Sequence, residues 1–437
     1  MSSLDDLVNI LKAVSQSSRL QILIYSLHKS RSFQELMQNT NIQKTALNVH
    51  LNQLIEQKLL EKQERGIYRT TILGEELIRV SALILKDAHL RKIIDQGRMN
   101  IQGYYKEGVT TMKKLISDKI LYQDAMLSYI GSVTGVMQYY GLPVTVDDIA
   151  GYSGYSFLLN MAEVFTCPSG PTAHPSNVWE QVHKGTECLG ATINIWFENE
   201  SFPETEFAVS SRDQKRSKIL FEKVKSIIDV SNQPVIIWGI PVPEYGIVKG
   251  FEENSYLVST FRHLIHQPDS PIKYDALQAP GCLEMITLVP NDKKNDEESK
   301  INALKRIITF ATGNYKPTKG YKVGLEALDT WIEHLKQDDP KFYPYHGNSY
   351  LGSCTLEAFQ FSTSFLKKIG TQLQNDGILQ SAKYYDQAAS KMADFSKIFP
   401  FAFEGEIGIS KRKDGVRILS DVKIKLEKAI DHLKNSV

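Results

Sequence analysis

Within the first 85 residues the hydrophobic period changes from helical steps to the alternation of a hairpin, and every segment in between is short. Leu4, Leu7, Val8, Leu11 and Val14 recur at three- and four-residue steps, one face of a helix. Ser17-Ser18 opens a second helix carrying Leu20, Ile22, Leu23, Ile24 and Leu27. Ser32-Phe-Gln-Glu35 fits a capping box, in which hydroxyl and carboxylate satisfy each other's backbone amides. It starts a helix of barely two turns, closed by Asn39-Thr40-Asn41. The next helix, from about Gln43 to Gln57, turns Leu47, Leu51, Leu54 and Ile55 inward. Lys62 to Thr71 reads as a hairpin turning near Glu64-Arg65-Gly66.

Two short helices, a tight turn, a third helix and a hairpin predict a winged helix-turn-helix over residues 1–85. Ile10-Leu-Lys-Ala-Val-Ser15, Ser18-Arg-Leu-Gln-Ile-Leu23, Ala46-Leu-Asn-Val-His-Leu51 and Gln53-Leu-Ile-Glu-Gln-Lys-Leu-Leu60 resemble the opening, recognition helix and exit of ArsR-type regulators. Arg65-Gly-Ile-Tyr-Arg-Thr-Thr71 with Leu73-Gly74 resembles their wing. The resemblance implies an operator-binding homodimer. It departs at one point: metal-sensing members use cysteines in this domain, and the first cysteine here is Cys167.

The acidic and basic residues, 50 against 51, leave a net charge of +1, so DNA binding must come from a local surface. With its three leucines inward, the Gln43 helix points Gln43, Lys44, Thr45, Asn48 and Asn52 outward. Amides and hydroxyls there suit base edges in the major groove, and Lys44 suits a phosphate. Arg65, Tyr68 and Arg69 on the wing complete the expected DNA-binding set.

Residues 86–120 are expected to form a long connecting and dimerising helix, interrupted by Gly97, Gly103 and Gly108. From 121 to 290, β-prone runs at Thr192–Phe197, Pro234–Trp238, Tyr245–Val248, Ser255–Val258 and Leu283–Leu288 alternate with helical patterns at Met126–Tyr140 and Ser217–Ile228. This predicts an α+β domain. A charged link, Asn291 to Ser299, leads to a mostly helical extension over 300–437, with helices at Ile301–Phe310, Gly324–Lys336, Thr355–Asn375, Leu379–Phe399 and Ser420–Lys434. The fold class is therefore α+β multidomain.

Ser128-Tyr-Ile-Gly-Ser-Val-Thr-Gly-Val-Met-Gln-Tyr-Tyr-Gly141 resembles the first helix of papain-like domains of the BtrH-like group and its bacteriocin-processing peptidase relatives. Val144–Phe157, Cys167-Pro-Ser-Gly-Pro171 and Pro234–Gly250 resemble the segments that follow there. The resemblance implies a nucleophilic cysteine capping the helix and a histidine on the facing strand, the pair that makes a thiolate. Counting back from Tyr139-Tyr140-Gly141 places Ser128 at the cysteine position, and counting back from Gly250-Phe251 places Glu244 or Tyr245 at the histidine position. A serine without a neighbouring base is a poor nucleophile, and Gln123 as an oxyanion donor would have no nucleophile to serve.

The expectation is a degenerate, catalytically silent site whose residues Ser128, Tyr129, Tyr155, Trp238, Glu244 and Tyr245 line a ligand pocket. Tyr343, Tyr345 and His346 are candidates to cover its mouth. Cys167, His174, His183 and Cys188 are spaced C-x6-H-x8-H-x4-C, which matches no zinc finger or ribbon pattern, so no metal and no cofactor is expected. There is no phosphate loop.

The chain thus reads as a one-component transcription regulator, with an operator and an unknown small-molecule effector as partners. Met1-Ser-Ser-Leu-Asp-Asp lacks the basic and apolar regions of a signal peptide, and no apolar run is long enough to span a bilayer, so a cytoplasmic protein without membrane partners is expected. Two alternatives stand beside it: an acyltransferase or amidase using Ser128 or Cys167 with a regulatory head, and a scaffold for a protein partner.

Overall fold

A computed structural model describes residues 4–26, 30–63, 66–75, 77–78, 113–197, 214–241, 243–279, 283–402 and 404–437. The chain divides into two compact units, Met1–Val109 and Thr110–Val437. It is of mixed α and β structure, and among the described residues no helix is long and apolar enough to cross a membrane.

The first unit runs α1 (Leu4–Val14), α2 (Ser17–Tyr25), β1 (Arg31–Ser32), α3 (Phe33–Thr40), α4 (Lys44–Glu56), β2 (Leu60–Gln63) and β3 (Ile67–Thr70). The capping box forms as expected: Ser32 Oγ accepts the Glu35 amide at 3.3 Å, and the Glu35 carboxylate accepts the Ser32 amide at 2.8 Å. Leu47, Leu51 and Leu54 of α4 join Ile22, Leu23 and Leu36 in one core with Val14 of α1, so the four helices are held by apolar burial. The three strands pair antiparallel in the order β1-β3-β2, which places the hairpin of β2 and β3 as a wing beside the bundle.

The second unit is built on an antiparallel sheet. Its path is β10 (Ile272–Lys273), β9 (Ser255–Ser259), β8 (Glu244–Glu252), β7 (Val235–Ile240), β11 (Glu284–Pro290) and β6 (Ala191–Phe197). All six residues of β7 are buried, so both of its faces are covered, which explains its unbroken apolar run. Two helices pack on the neighbouring β8: α5 (Ser128–Tyr139) and α8 (Gln214–Ser231). Close packing of α5 requires Gly135, where a Cβ would lie 2.2 Å from the Leu121 carbonyl oxygen. Between them in the chain come α6 (Val146–Ser153), β5 (Asn160–Ala162) and α7 (Ser176–Thr186).

Beyond the sheet the chain adds α9 (Glu297–Ala311), β12 (Tyr321–Val323), α10 (Leu325–Lys336), α11 (Tyr345–Gln372), α12 (Asp376–Ile398) and α13 (Ile409–Lys434). Here the structure corrects the expected domain limits. The 300–437 helices are not a separate extension: α11 packs on α6, β12 pairs with β5, and both halves share one hydrophobic core.

A second correction concerns the connecting helix. Lys113–Leu115, assigned to it from sequence, form a strand, β4, that pairs with Gly250–Glu252 of β8. Most of the expected dimerisation helix, with Gly97, Gly103 and Gly108, lies outside the described residues.

Candidate functional site

In the first unit, α4 carries the residues that the sequence reading assigns to DNA contact. Gln43, Lys44, Thr45, Asn48 and Asn52 are all exposed, because the leucines that alternate with them are drawn into the core. Gln43 is the N-cap residue but makes no capping hydrogen bond, so its amide is uncommitted to the helix. Arg69 is exposed on β3, and Arg65 lies outside the described residues. Tyr68 corrects the sequence reading: its side chain is 7% exposed and packs with the α4 leucines, because strand alternation turns it opposite to Arg69. It is a core residue of the wing.

In the second unit, α5 and β8 bring together the two positions that the papain-like resemblance singled out. The Ser128 hydroxyl donates to the Glu244 carboxylate, and the Tyr245 amide donates to Ser128 Oγ at 3.0 Å. A second hydroxyl, from Tyr350 on α11, donates to the other Glu244 oxygen. Burial pushes the Glu244 carboxyl up to about 7, and the Ser128 and Tyr350 hydrogen bonds act against that rise. Ser128 therefore has a carboxylate neighbour, where the sequence reading expected no base beside it.

The same helix terminus is occupied a second time. Glu357 of α11 accepts the amides of Met126 and Leu127 at 2.8 and 3.0 Å, placing a carboxyl where the positive end of α5 lies. Burial raises this carboxyl too, to about 7. Donors that would stabilise a thiolate or an oxyanion in a working site are thus spent on the protein's own glutamate. The amide of Gln123 donates to the Leu121 carbonyl instead. Ser128 itself is 3% exposed. As built, the Ser128, Glu244, Tyr350 and Glu357 contacts tie the α5 terminus to β8 and α11.

Tyr129, Tyr155, Trp238 and Tyr245 also converge, as expected. Tyr129 stands edge-on to Tyr155 and Tyr245 at 5.7 and 5.9 Å, and Tyr245 lies 5.1 Å from Trp238. These rings fill the space between them, however, and only Tyr155 of the expected pocket residues lines the adjacent cavity. That cavity, of about 40 Å³, lies between β5, the loop to His174, α10 and α11.

Sequence reasoning missed the polar chain beneath the aromatic cluster. His183 Nδ1 lies 3.1 Å from the Tyr129 hydroxyl, while its Nε2 faces Glu284 Oε1 at 3.8 Å. The Tyr245 hydroxyl donates to Glu284 Oε2 at 3.0 Å. Burial keeps His183 neutral, with a pKa lowered to about 4, and raises Glu284 to about 7. The sequence reading pairs His183 only with Cys167, His174 and Cys188, and in the structure these have different partners. Cys167 Sγ meets Ser169 Oγ at 2.9 Å, Cys188 Sγ donates to the Gly185 carbonyl, and His174 lines the cavity. Among the described residues no group of three or more His, Cys, Asp or Glu is placed to hold a metal ion.

Tyr350, Cys354 and Glu357, spaced i, i+4 and i+7 on α11, are the other residues that sequence reasoning missed. That spacing was the available signal, since it puts three polar side chains on one helical face. Compared with known proteins, the chain matches no family model and no curated protein.

Proposed function

We propose that this protein is a DNA-binding, one-component transcription regulator whose second unit senses a small molecule. The observation that carries the reading is the α4 face. The fourth helix of a compact bundle, followed directly by a two-stranded wing, presents exposed amide and hydroxyl side chains beside one lysine. Such a surface suits major-groove base edges, with Arg69 on the wing suited to phosphate. A homodimer on an inverted repeat fits the ArsR-type resemblance.

The sensing half rests on the second unit. A buried hydroxyl–carboxyl pair stands at the positions where the resembled fold would carry Cys and His, and a cavity lies next to it. The degenerate site is better suited to hold than to transform. The test is selection of DNA from a random pool by the full chain, followed by titration of the selected duplex with and without metabolite extract. An enriched inverted repeat whose affinity changes with extract is the expected result. No enriched sequence removes the regulator reading.

One observation favours an enzyme as a second reading: the Ser128–Glu244 contact supplies a carboxyl within reach of a hydroxyl nucleophile. Acyl transfer or amide hydrolysis that disappears in Ser128→Ala would establish it. Against it stand the near-complete burial of Ser128 and the committed donors around it.

A further inference from the structure

The cavity beside Tyr155 has a chemical character that its size and lining define. Leu158, Met161, Trp331 and Leu351 give it apolar walls, and none of its lining residues is Asp, Glu, Lys or Arg. Two buried polar side chains break that surface. Asn160, 8% exposed, donates its Nδ2 to the Gly170 and Ala173 carbonyls at 3.1 and 3.0 Å, which fixes the amide orientation and leaves Oδ1 without a partner. His174, also 8% exposed, makes no well-formed hydrogen bond through either ring nitrogen, although the Pro171 carbonyl faces the ring. That carbonyl already accepts the Tyr155 hydroxyl at 2.6 Å. Buried polar atoms are ordinarily satisfied, so Asn160 Oδ1 and a His174 ring with the Pro171 carbonyl as its polar neighbour, both lining one cavity, point to an occupant.

We infer that this cavity binds a small neutral molecule whose head group both donates and accepts hydrogen bonds, as a primary carboxamide does, on a short apolar body. The head would donate to Asn160 Oδ1 and pair with the imidazole of His174. Burial lowers the His174 pKa to about 4, so near neutral pH the ring offers one N–H and one bare nitrogen. A charged ligand would be desolvated there with no counter-charge on the walls. About 40 Å³ of space for water centres admits only a few non-hydrogen atoms. Trp331 adds no donor, because its indole N–H is spent on Asn348 Oδ1 at 2.8 Å.

The inference rests on the sensing half of the proposed function and names its ligand class. The experiment uses the full chain, with propionamide as probe and propionate and propylammonium as charged controls of similar size. Binding is followed by ligand-detected NMR and by the shift in melting temperature. Saturable propionamide binding in the millimolar range is expected, at least about tenfold tighter than either ion. His174→Phe keeps the ring volume and is expected to weaken binding about tenfold or more. Ala358, on the cavity wall, is replaced by the larger leucine in a second variant that leaves Asn160 and His174 in place; Ala358→Leu is expected to abolish binding, which keeps the test decisive if the His174 variant does not fold.

Absence of saturable binding, equal binding of propionate, or unchanged binding in both variants overturns the inference. Its failure is separable from that of the regulator reading. Propionamide binding by a protein that selects no DNA leaves the site standing and removes the regulator. A DNA response to metabolite extract that is intact in Ala358→Leu removes the site and leaves the regulator.

Discussion

The Ser128 hydroxyl and the Glu244 carboxylate are joined by a direct hydrogen bond, with the Tyr245 amide completing the serine and the Tyr350 hydroxyl completing the glutamate. The pair links the first turn of α5 to the start of β8, two elements far apart in the chain. Each partner is buried, so each depends on the other for its hydrogen bonding.

Ser128→Ala is therefore expected to act on stability. It removes a donor from Glu244 and the hydroxyl oxygen that the Tyr245 amide donates to, a loss of about 1–3 kcal/mol. Chemical denaturation measures this. Assays with acyl and amide substrates should show no turnover to lose, and activity present in wild type but absent in the variant would establish the enzyme reading instead.

A second expectation concerns pH. Burial lifts Glu284 from its ordinary 4.5 to about 7. Between those values the folded chain holds a proton that the unfolded chain has released. This contribution to stability is complete below pH 4.5 and is lost as pH rises through 7. Glu284→Gln cannot ionise, so it should gain on wild type as pH rises from about 4.5 to about 7, by at most about 1.4 kcal/mol per pH unit, and gain no more above that. Parallel stability curves for the two proteins would contradict the burial argument.

His183 works in the opposite direction. Its pKa falls from 6.5 to about 4 because burial disfavours the imidazolium. The unfolded chain binds the extra proton first, so stability is lost as pH falls below 6.5 toward 4. His183→Gln should flatten the acid limb of the wild-type curve, measured by thermal unfolding over that range.

If the α4 face reads DNA as proposed, Gln43→Ala or Asn48→Ala should cost about 1–3 kcal/mol of affinity for the selected duplex and relax sequence preference. Arg69→Ala should weaken all sequences alike and reduce the salt dependence. Because Gln43 makes no capping hydrogen bond, its replacement should leave the melting temperature nearly unchanged. Duplex titrations at two salt concentrations separate the two classes.

Tyr68→Ala provides the internal contrast. As a buried wing residue packed with the α4 leucines, it should destabilise the first unit by about 3 kcal/mol. A variant that melts normally yet loses DNA affinity would return Tyr68 to the binding surface.

Local pattern carried much of this protein. The capping box at Ser32, the inward leucines of α4 and the strands of the large sheet depend on neighbouring residues and hydrophobic period, so they can be read along the chain. The sequence pointed to positions 128 and 244 or 245 only through a resemblance to papain-like domains, which left Glu244 and Tyr245 as alternatives.

The rest was decided by contacts between segments remote in sequence. The sequence reading started α11 at Thr355, but the helix begins at Tyr345. Gly347, Asn348, Ser349 and Gly352 are weak helix formers, and tertiary packing overrides that preference. Gly347 lies so close to the Thr166 carbonyl oxygen that a Cβ would stand 1.8 Å from it. That added length brings Tyr350 to Glu244. Likewise β4 exists because β8 offers it a pairing edge, and Tyr68 is buried because of the register of β3. Period and propensity determined which segments form elements; burial against distant partners determined where α11 starts and how the polar groups at the α5 terminus are satisfied.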